Sequence, residues 1–204
     1  ALKRADIGVA MGRIGTDVAK EAAELVLLDD SFPTLVHAVK EGRTIYNNLR
    51  KTVLASMTTN AAELAVVLLG LAAVSLRNWA IPILAIQILA IDLLAENMPL
   101  TALTFDPSGE GIMRASPRDL RAHIMNRSTS TEVIALGFMM GALAFANFGL
   151  FMSRAGISLT IDSALLPENA PLYAKATTMS YLTIAFCQFA NILSRRYEYT
   201  TVFN

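Results

Sequence analysis

The stretch IPILAIQILAIDLLAENMPLTALTF, residues 81–105, decides how this chain folds. Its length and apolar content suit a bilayer-spanning helix, which needs about 20 mainly apolar residues. Yet it contains Asp92 and Glu96. A carboxylate at the bilayer centre costs about 3 kcal/mol even on the lenient insertion scale. Glu63 repeats the anomaly within the apolar segment 53–74. No Lys or Arg lies inside either run, so these acids lack an internal counter-charge and are expected to be protonated or to bind cations. Ion handling is therefore the first functional expectation.

Composition agrees with a membrane protein. The chain has 204 residues, 54% hydrophobic and 17% charged, against about 25% charged in soluble domains. Zero formal net charge gives no sign of nucleic-acid binding. The single cysteine, Cys187, excludes an internal disulfide and a cysteine-rich metal site, and reads as a small buried hydrophobe. The N-terminus, with Lys3, Arg4 and Asp6 ahead of a Gly-containing segment, is not a signal peptide.

The expected fold class is mostly α and membranous: four spans, about 52–75, 81–105, 129–153 and 174–194, follow a short α/β segment. A tight turn at Arg77-Asn78-Trp79, a polar loop 106–128 and a loop 154–173 connect them. Arg43, Arg50 and Lys51, then Arg114, Arg118, Arg121 and Arg127, then Arg195 and Arg196 form a basic excess on one side. By the positive-inside rule the soluble piece, the middle loop and the C-terminus are cytoplasmic. The expected location is the cell membrane.

Residues 1–45 read as soluble α/β, ending in a stalk. Asp6 to Met11 suits a buried strand, Gly12 to Gly15 a turn, and Thr16 or Asp17 a cap for a helix to Ala23. Glu24 to Leu28 reads as a second strand, and Ser31 as the cap of a helix with Pro33 in its first turn. Strand, helix, strand, helix implies a parallel sheet. The last helix has no clear stop and runs into the first span, a route for transmitting motion. Gly12-Arg13-Ile14-Gly15-Thr16 lacks the ending of a P-loop and reads as a plain turn.

Within the spans, Asn60 and Glu63 are spaced i, i+3, and Asp92 and Glu96 i, i+4, so each pair shares a helix face. Pro99 cannot donate to the carbonyl of Ala95, which offers an oxygen beside two carboxylates, a hard-cation ligand set. Gln188 and Asn191 bring neutral oxygens on one face of the last span. The competing reading is that these groups bond one another and join helices; for the two amides the alternatives are balanced. Glu132 fits a capping box with Thr129. Gly137 and Gly141 read as a close helix contact and Trp79 as an interfacial anchor. His37 and His123 lie outside the spans and are not expected to bind metal.

Several runs now resemble the P-type cation-transporting ATPases, in the branch of the calcium and sodium/potassium pumps. They are Ile7-Gly8-Val9-Ala10-Met11-Gly12, Gly15-Thr16-Asp17-Val18-Ala19-Lys20-Glu21-Ala22-Ala23, Val26-Leu27-Leu28-Asp29-Asp30-Ser31-Phe32 and Glu41-Gly42-Arg43-Thr44-Ile45-Tyr46-Asn47-Asn48. Ala1-Leu2-Lys3 resembles the tail of the family's hinge motif. The resemblance implies that 1–45 is the C-terminal part of a cytosolic HAD-like phosphorylation domain with its stalk. It makes 46–204 a transmembrane domain holding the fifth to eighth of ten spans. It also implies a transported cation (Ca, Na, K or H) held by Asn60, Glu63, Asp92, Ala95, Glu96, Gln188 and Asn191. Ala95 stands where a Thr is common and Glu96 where Asp is usual, while Asp92 matches the sodium/potassium pumps. The family's phosphorylated Asp-Lys-Thr-Gly-Thr motif is not in these residues. Catalysis, ATP and Mg²⁺ are thus expected of a full-length pump, with the remaining pump domains and the lipid bilayer as partners, and this polypeptide alone is not expected to hydrolyse ATP. The alternatives are a truncated, non-catalytic membrane protein that binds or regulates an intact pump, and a secondary transporter using the same carboxylates.

Overall fold

The computed structural model describes residues 1–107, 109, 111–117 and 123–196. Arg118 and Arg121 of the basic middle loop lie outside the described residues, as does the chain after Arg196. The chain forms two compact units, Ala1–Asn47 with Pro107–Pro117, and Asn48–Asp106 with Arg118–Asn204.

In the first unit, β1 (Val9–Met11) and β2 (Leu25–Leu27) pair in parallel, Val9 opposite Leu25 and Met11 opposite Leu27. Helix α1 (Asp17–Ala22) crosses between them. The Thr16 side chain caps it by accepting from the Ala19 N–H, as short hydroxyl residues do at helix starts. The Gly12–Gly15 turn is held from within. Asp30, in the left-handed region at φ 54°, accepts from the N–H groups of Arg13 and Ile14, each at 2.8 Å. The loop's donors are therefore engaged by a carboxylate of the same unit, in keeping with a plain turn. These bonds, that from Arg13 foremost, hold Asp30 below the usual carboxylate range. Asp29 accepts from the Ser31 N–H and the Thr34 hydroxyl at the start of the next helix. Arg43 donates to the carbonyls of Ile112 and Ala115, both at 2.8 Å, pinning the segment 107–117.

Helix α2 runs unbroken from Phe32 to Arg77, 46 residues. The missing stop in the sequence is thus a real continuity. In the second unit its later half packs with α3 (Ala85–Ala90), a π-helical turn (Ile91–Glu96), α4 (Asn97–Thr104), α5 (Arg127–Arg154) and α7 (Ala170–Arg196). A short helix, α6 (Ile161–Ala164), lies in the loop before α7.

Contacts at the two ends show that these helices alternate in direction. At one end Asn48 donates to the carbonyls of Thr104 (3.2 Å) and Asp106 (2.7 Å), Lys51 donates to the Arg196 carbonyl, and Arg196 pairs with Asp106 at 3.0 Å. At the other, Trp79 bridges Thr160, Asn78 donates to Asp162, and the Tyr173 hydroxyl donates to the Ile81 carbonyl. Trp79 also stacks on Phe145, so its ring is partly spent on packing. Among the described residues three helical stretches are long and apolar enough to cross a membrane: Phe32–Arg77, Ala85–Thr104 and Arg127–Arg154. Helix α7 has the length, but Thr, Ser, Gln and Asn dilute its apolar character.

The small-residue pair on α5 does what its spacing implies. A Cβ on Gly137 would lie 2.5 Å from Ala61 Cβ, and one on Gly141 would lie 2.6 Å from the Ala62 carbonyl oxygen. Only glycine lets the two backbones approach this closely. Residue Glu132, by contrast, is not part of a cap. Asn126 caps α5 reciprocally with Thr129, because the helix begins earlier than the sequence reading placed it. Glu132 pairs instead with Arg195 at 3.2 Å.

Candidate functional site

Two apolar clusters bracket one level of the helical unit. Val66, Ile91, Ala95, Ala144, Ile184 and Ala185 form one with Ile83. Ala55, Leu100, Leu103 and Ile192 form the other. In each of α2, the π turn with α4, and α7, the residues between the clusters include a polar group: Glu63, Glu96 and Gln188. These side chains are buried, at 8%, 5% and 0% exposure. Among the described residues, Glu63 Oε1, Glu96 Oε2 and Gln188 Nε2 have no hydrogen-bond partner. A buried polar atom left unpaired costs about 1–3 kcal/mol, more when charged, and such atoms are rare enough to need a reason.

Local structure explains how the acids come inward. The sequence places a backbone break at the Ala95 carbonyl, one turn before Pro99; α4 passes through Pro99 and a π turn at Ile91–Glu96 contains Ala95. In an α-helix the Pro99 ring would crowd the carbonyl of Ala95 and leave it without a donor. Ala95 itself lies inside the π turn, where the winding is wider than in an α-helix. The turn contains both Asp92 and Glu96, and buries Ala95 and Glu96 while Asp92 is half-buried. Asp92 and Glu96 are close enough for their charges to act on Glu63, and the Ser56 hydroxyl on α2 faces the Glu96 carboxyl. Among the described residues no three of the His, Cys, Asp and Glu side chains converge as a ready-made metal cluster. The oxygens here are carboxylates and a hydroxyl from different helices, the chemistry of a hard cation.

Other expected members stand apart. Asn60 is exposed, although it shares a helix with buried Glu63. Asn191 is half-buried and engaged: its Nδ2 donates to Gln188 Oε1 (3.2 Å) and to the Ala55 carbonyl (3.5 Å), and its Oδ1 accepts from Arg195 Nε (3.2 Å). Arg195 also donates to the Thr58 hydroxyl at 3.2 Å, with its side chain only 11% exposed. The sequence reading placed this arginine outside the last span. Its signal was the spacing of Gln188, Asn191 and Arg195 at i, i+3 and i+7, one face of a single helix.

Comparison with known proteins identifies the family. The family model described as cation transporting ATPase, C-terminus, matches residues 80–204. The chain belongs to the cation-transporting ATPases of the P type. A calcium-transporting ATPase of Bacillus subtilis is 35% identical over 204 residues, 100% of this chain and 21% of that protein. Calcium-transporting ATPase type 2C member 1 of Homo sapiens is 33% identical over 203 residues, 100% of this chain and 20% of that protein. Calcium-transporting ATPase 1 of Schizosaccharomyces pombe is 33% identical over 203 residues, again 100% of this chain and 20% of that protein. The chain thus spans about a fifth of the length of the curated relatives it matches. Family and apolar helices together make it an integral membrane protein.

Proposed function

We propose that this chain carries the ion-binding part of an ATP-driven calcium pump, with Glu63 and Glu96 as its central ligands. The observation that carries the reading is the set of buried, unpartnered atoms on Glu63, Glu96 and Gln188, at one level between two apolar clusters. Asp92 completes the acidic lining, with the Ala95 carbonyl as a further candidate oxygen, while the exposed Asn60 stands apart. Calcium is favoured because the matched relatives are calcium-transporting ATPases by name, and because Ca²⁺ accepts six to eight oxygens in flexible geometry. Asp92 is the residue that the sequence likens to the sodium/potassium pumps; as a half-buried group it adds charge at the mouth of the site.

In the full-length pump the acids would bind the cation ionised and release it when reoriented or protonated, since a ligand shifts a conformational equilibrium only by its differential affinity for the two states. Residues 1–45 would end the phosphorylation domain, and the unbroken α2 would pass its movement to Glu63. The phosphorylated aspartate, ATP and Mg²⁺ belong to the rest of the pump. Helix α7 would serve as a fourth span, its direction following from the contacts at its two ends. The basic residues at the Asn48 end support a cytoplasmic placement of that end.

Cation-dependent aspartyl phosphorylation of the full-length pump tests this. Glu63→Gln and Glu96→Gln should each raise the half-saturating Ca²⁺ concentration by about a hundredfold, as expected for a buried charged ligand worth about 3 kcal/mol. Native Ca²⁺ dependence in both variants would overturn the site.

A further inference from the structure

Gln188 reaches the polar layer with a particular atom. Its Oε1 is turned to Asn191 and its Nε2 is the buried, unpartnered one. That choice has a physical origin two residues away in a hydrogen-bond chain. A guanidinium only donates, so the Asn191 atom facing Arg195 Nε has to be the oxygen, as found at 3.2 Å. Asn191 must then present its NH₂ to Gln188, and Gln188 must answer with its oxygen. The orientation of one amide is thereby passed to the next. The Ala55 carbonyl reinforces it by accepting from the same Asn191 NH₂ at 3.5 Å. Arg195 is itself held from three sides. Glu132 pairs with it, Asn191 Oδ1 accepts from it, and so does the Thr58 hydroxyl, whose own proton goes to the Leu54 carbonyl.

We infer that Arg195 is a positioning residue that locks Asn191 and Gln188 so that Gln188 offers the site an N–H donor and not a cation-ligating oxygen. This rests on the ion-site reading above and revises the part of Gln188 in it. Nε2 donates to no protein group among the described residues, and an N–H turned inward offers a cation positive charge and no oxygen. Gln188 thus opposes cation binding instead of adding a ligand, and the set of oxygens is narrowed to the acids and the backbone.

The sign of one substitution separates the two roles. In the full-length pump, with Ca²⁺-dependent phosphorylation as readout, Gln188→Met should lower the half-saturating Ca²⁺ concentration. A rise of about tenfold, the worth of one lost oxygen ligand, would overturn the inference. Asn191→Asp supplies only acceptors to both neighbours, so Gln188 must turn its NH₂ to residue 191 and its oxygen inward. Adding Gln188→Met to that background should then weaken Ca²⁺ dependence by about tenfold, and an equal effect in both backgrounds would contradict the relay. Arg195→Lys, which also only donates, should keep the native response to Gln188→Met, whereas Arg195→Met should lose it. The same response to Gln188→Met in both Arg195 variants would also count against the relay, and this arm stands if Asn191→Asp fails to fold. Glu63→Gln is run alongside. If it retains native Ca²⁺ dependence, the ion-site reading fails; if it loses it and Gln188 still behaves as a ligand, only the relay fails.

Discussion

Glu63, Glu96 and Gln188 show at residue scale how an energetic anomaly in a sequence becomes a place in a structure. The two acids were legible because a carboxylate in an apolar run has few physical excuses. What could not be read was the company each residue keeps. Asn60 has the right spacing to Glu63 but stands exposed, because three residues along a helix still turn a side chain by about 60°. Arg195 was counted as a flanking charge, yet its long side chain folds back along α7 and pairs with Glu132. In the first unit, Asp30 yields a pH-dependent prediction. Its folded pKa lies below the ordinary carboxylate value, chiefly through the Arg13 N–H. Its contribution is therefore present above the ordinary carboxylate range and lost as pH falls through the depressed value. Hydrogen exchange at Arg13 and Ile14 should show protection that Asp30→Ala removes at neutral pH. Unchanged protection in that variant would separate Asp30 from the turn.

At the scale of elements, the continuity of α2 and the parallel pairing of β1 with β2 follow from patterns visible in the chain: no stop signal after Gly42, and two apolar runs separated by a capped helix. The π form of the break was hidden, since proline at position 99 points to the turn at Ala95 without saying how the helix rewinds there. The α5 start was misplaced because Asn126 and Thr129 offer the same chemistry as Thr129 and Glu132, and the two candidates differ by one turn. Asn126→Ala should cost about 1 kcal/mol, the usual worth of such a cap. The glycine seam between α5 and α2 gives a sharper test. Gly141→Ala puts a methyl against the Ala62 carbonyl and Ala65, and forced overpacking of this kind costs about 1–3 kcal/mol. Thermal unfolding in detergent should show a lower midpoint, and an unchanged midpoint would mean that the helices are not locked at this seam.

For the whole molecule, membrane character and family were written in composition and in long matching runs, and the family comparison agrees with both. Three helices meet the length and apolarity that a bilayer requires. Helix α7 carries instead Gln188, Asn191 and threonines that bond within the unit. We propose that Glu63 and Glu96 hold the transported cation. Equilibrium binding of radioactive Ca²⁺ to the full-length pump in detergent, without ATP, addresses it most directly. The double variant Glu63→Gln with Glu96→Gln should lose high-affinity Ca²⁺ binding while keeping the native unfolding midpoint within a few degrees, roughly 1 kcal/mol or less. Native Ca²⁺ binding by a folded double variant would contradict the account.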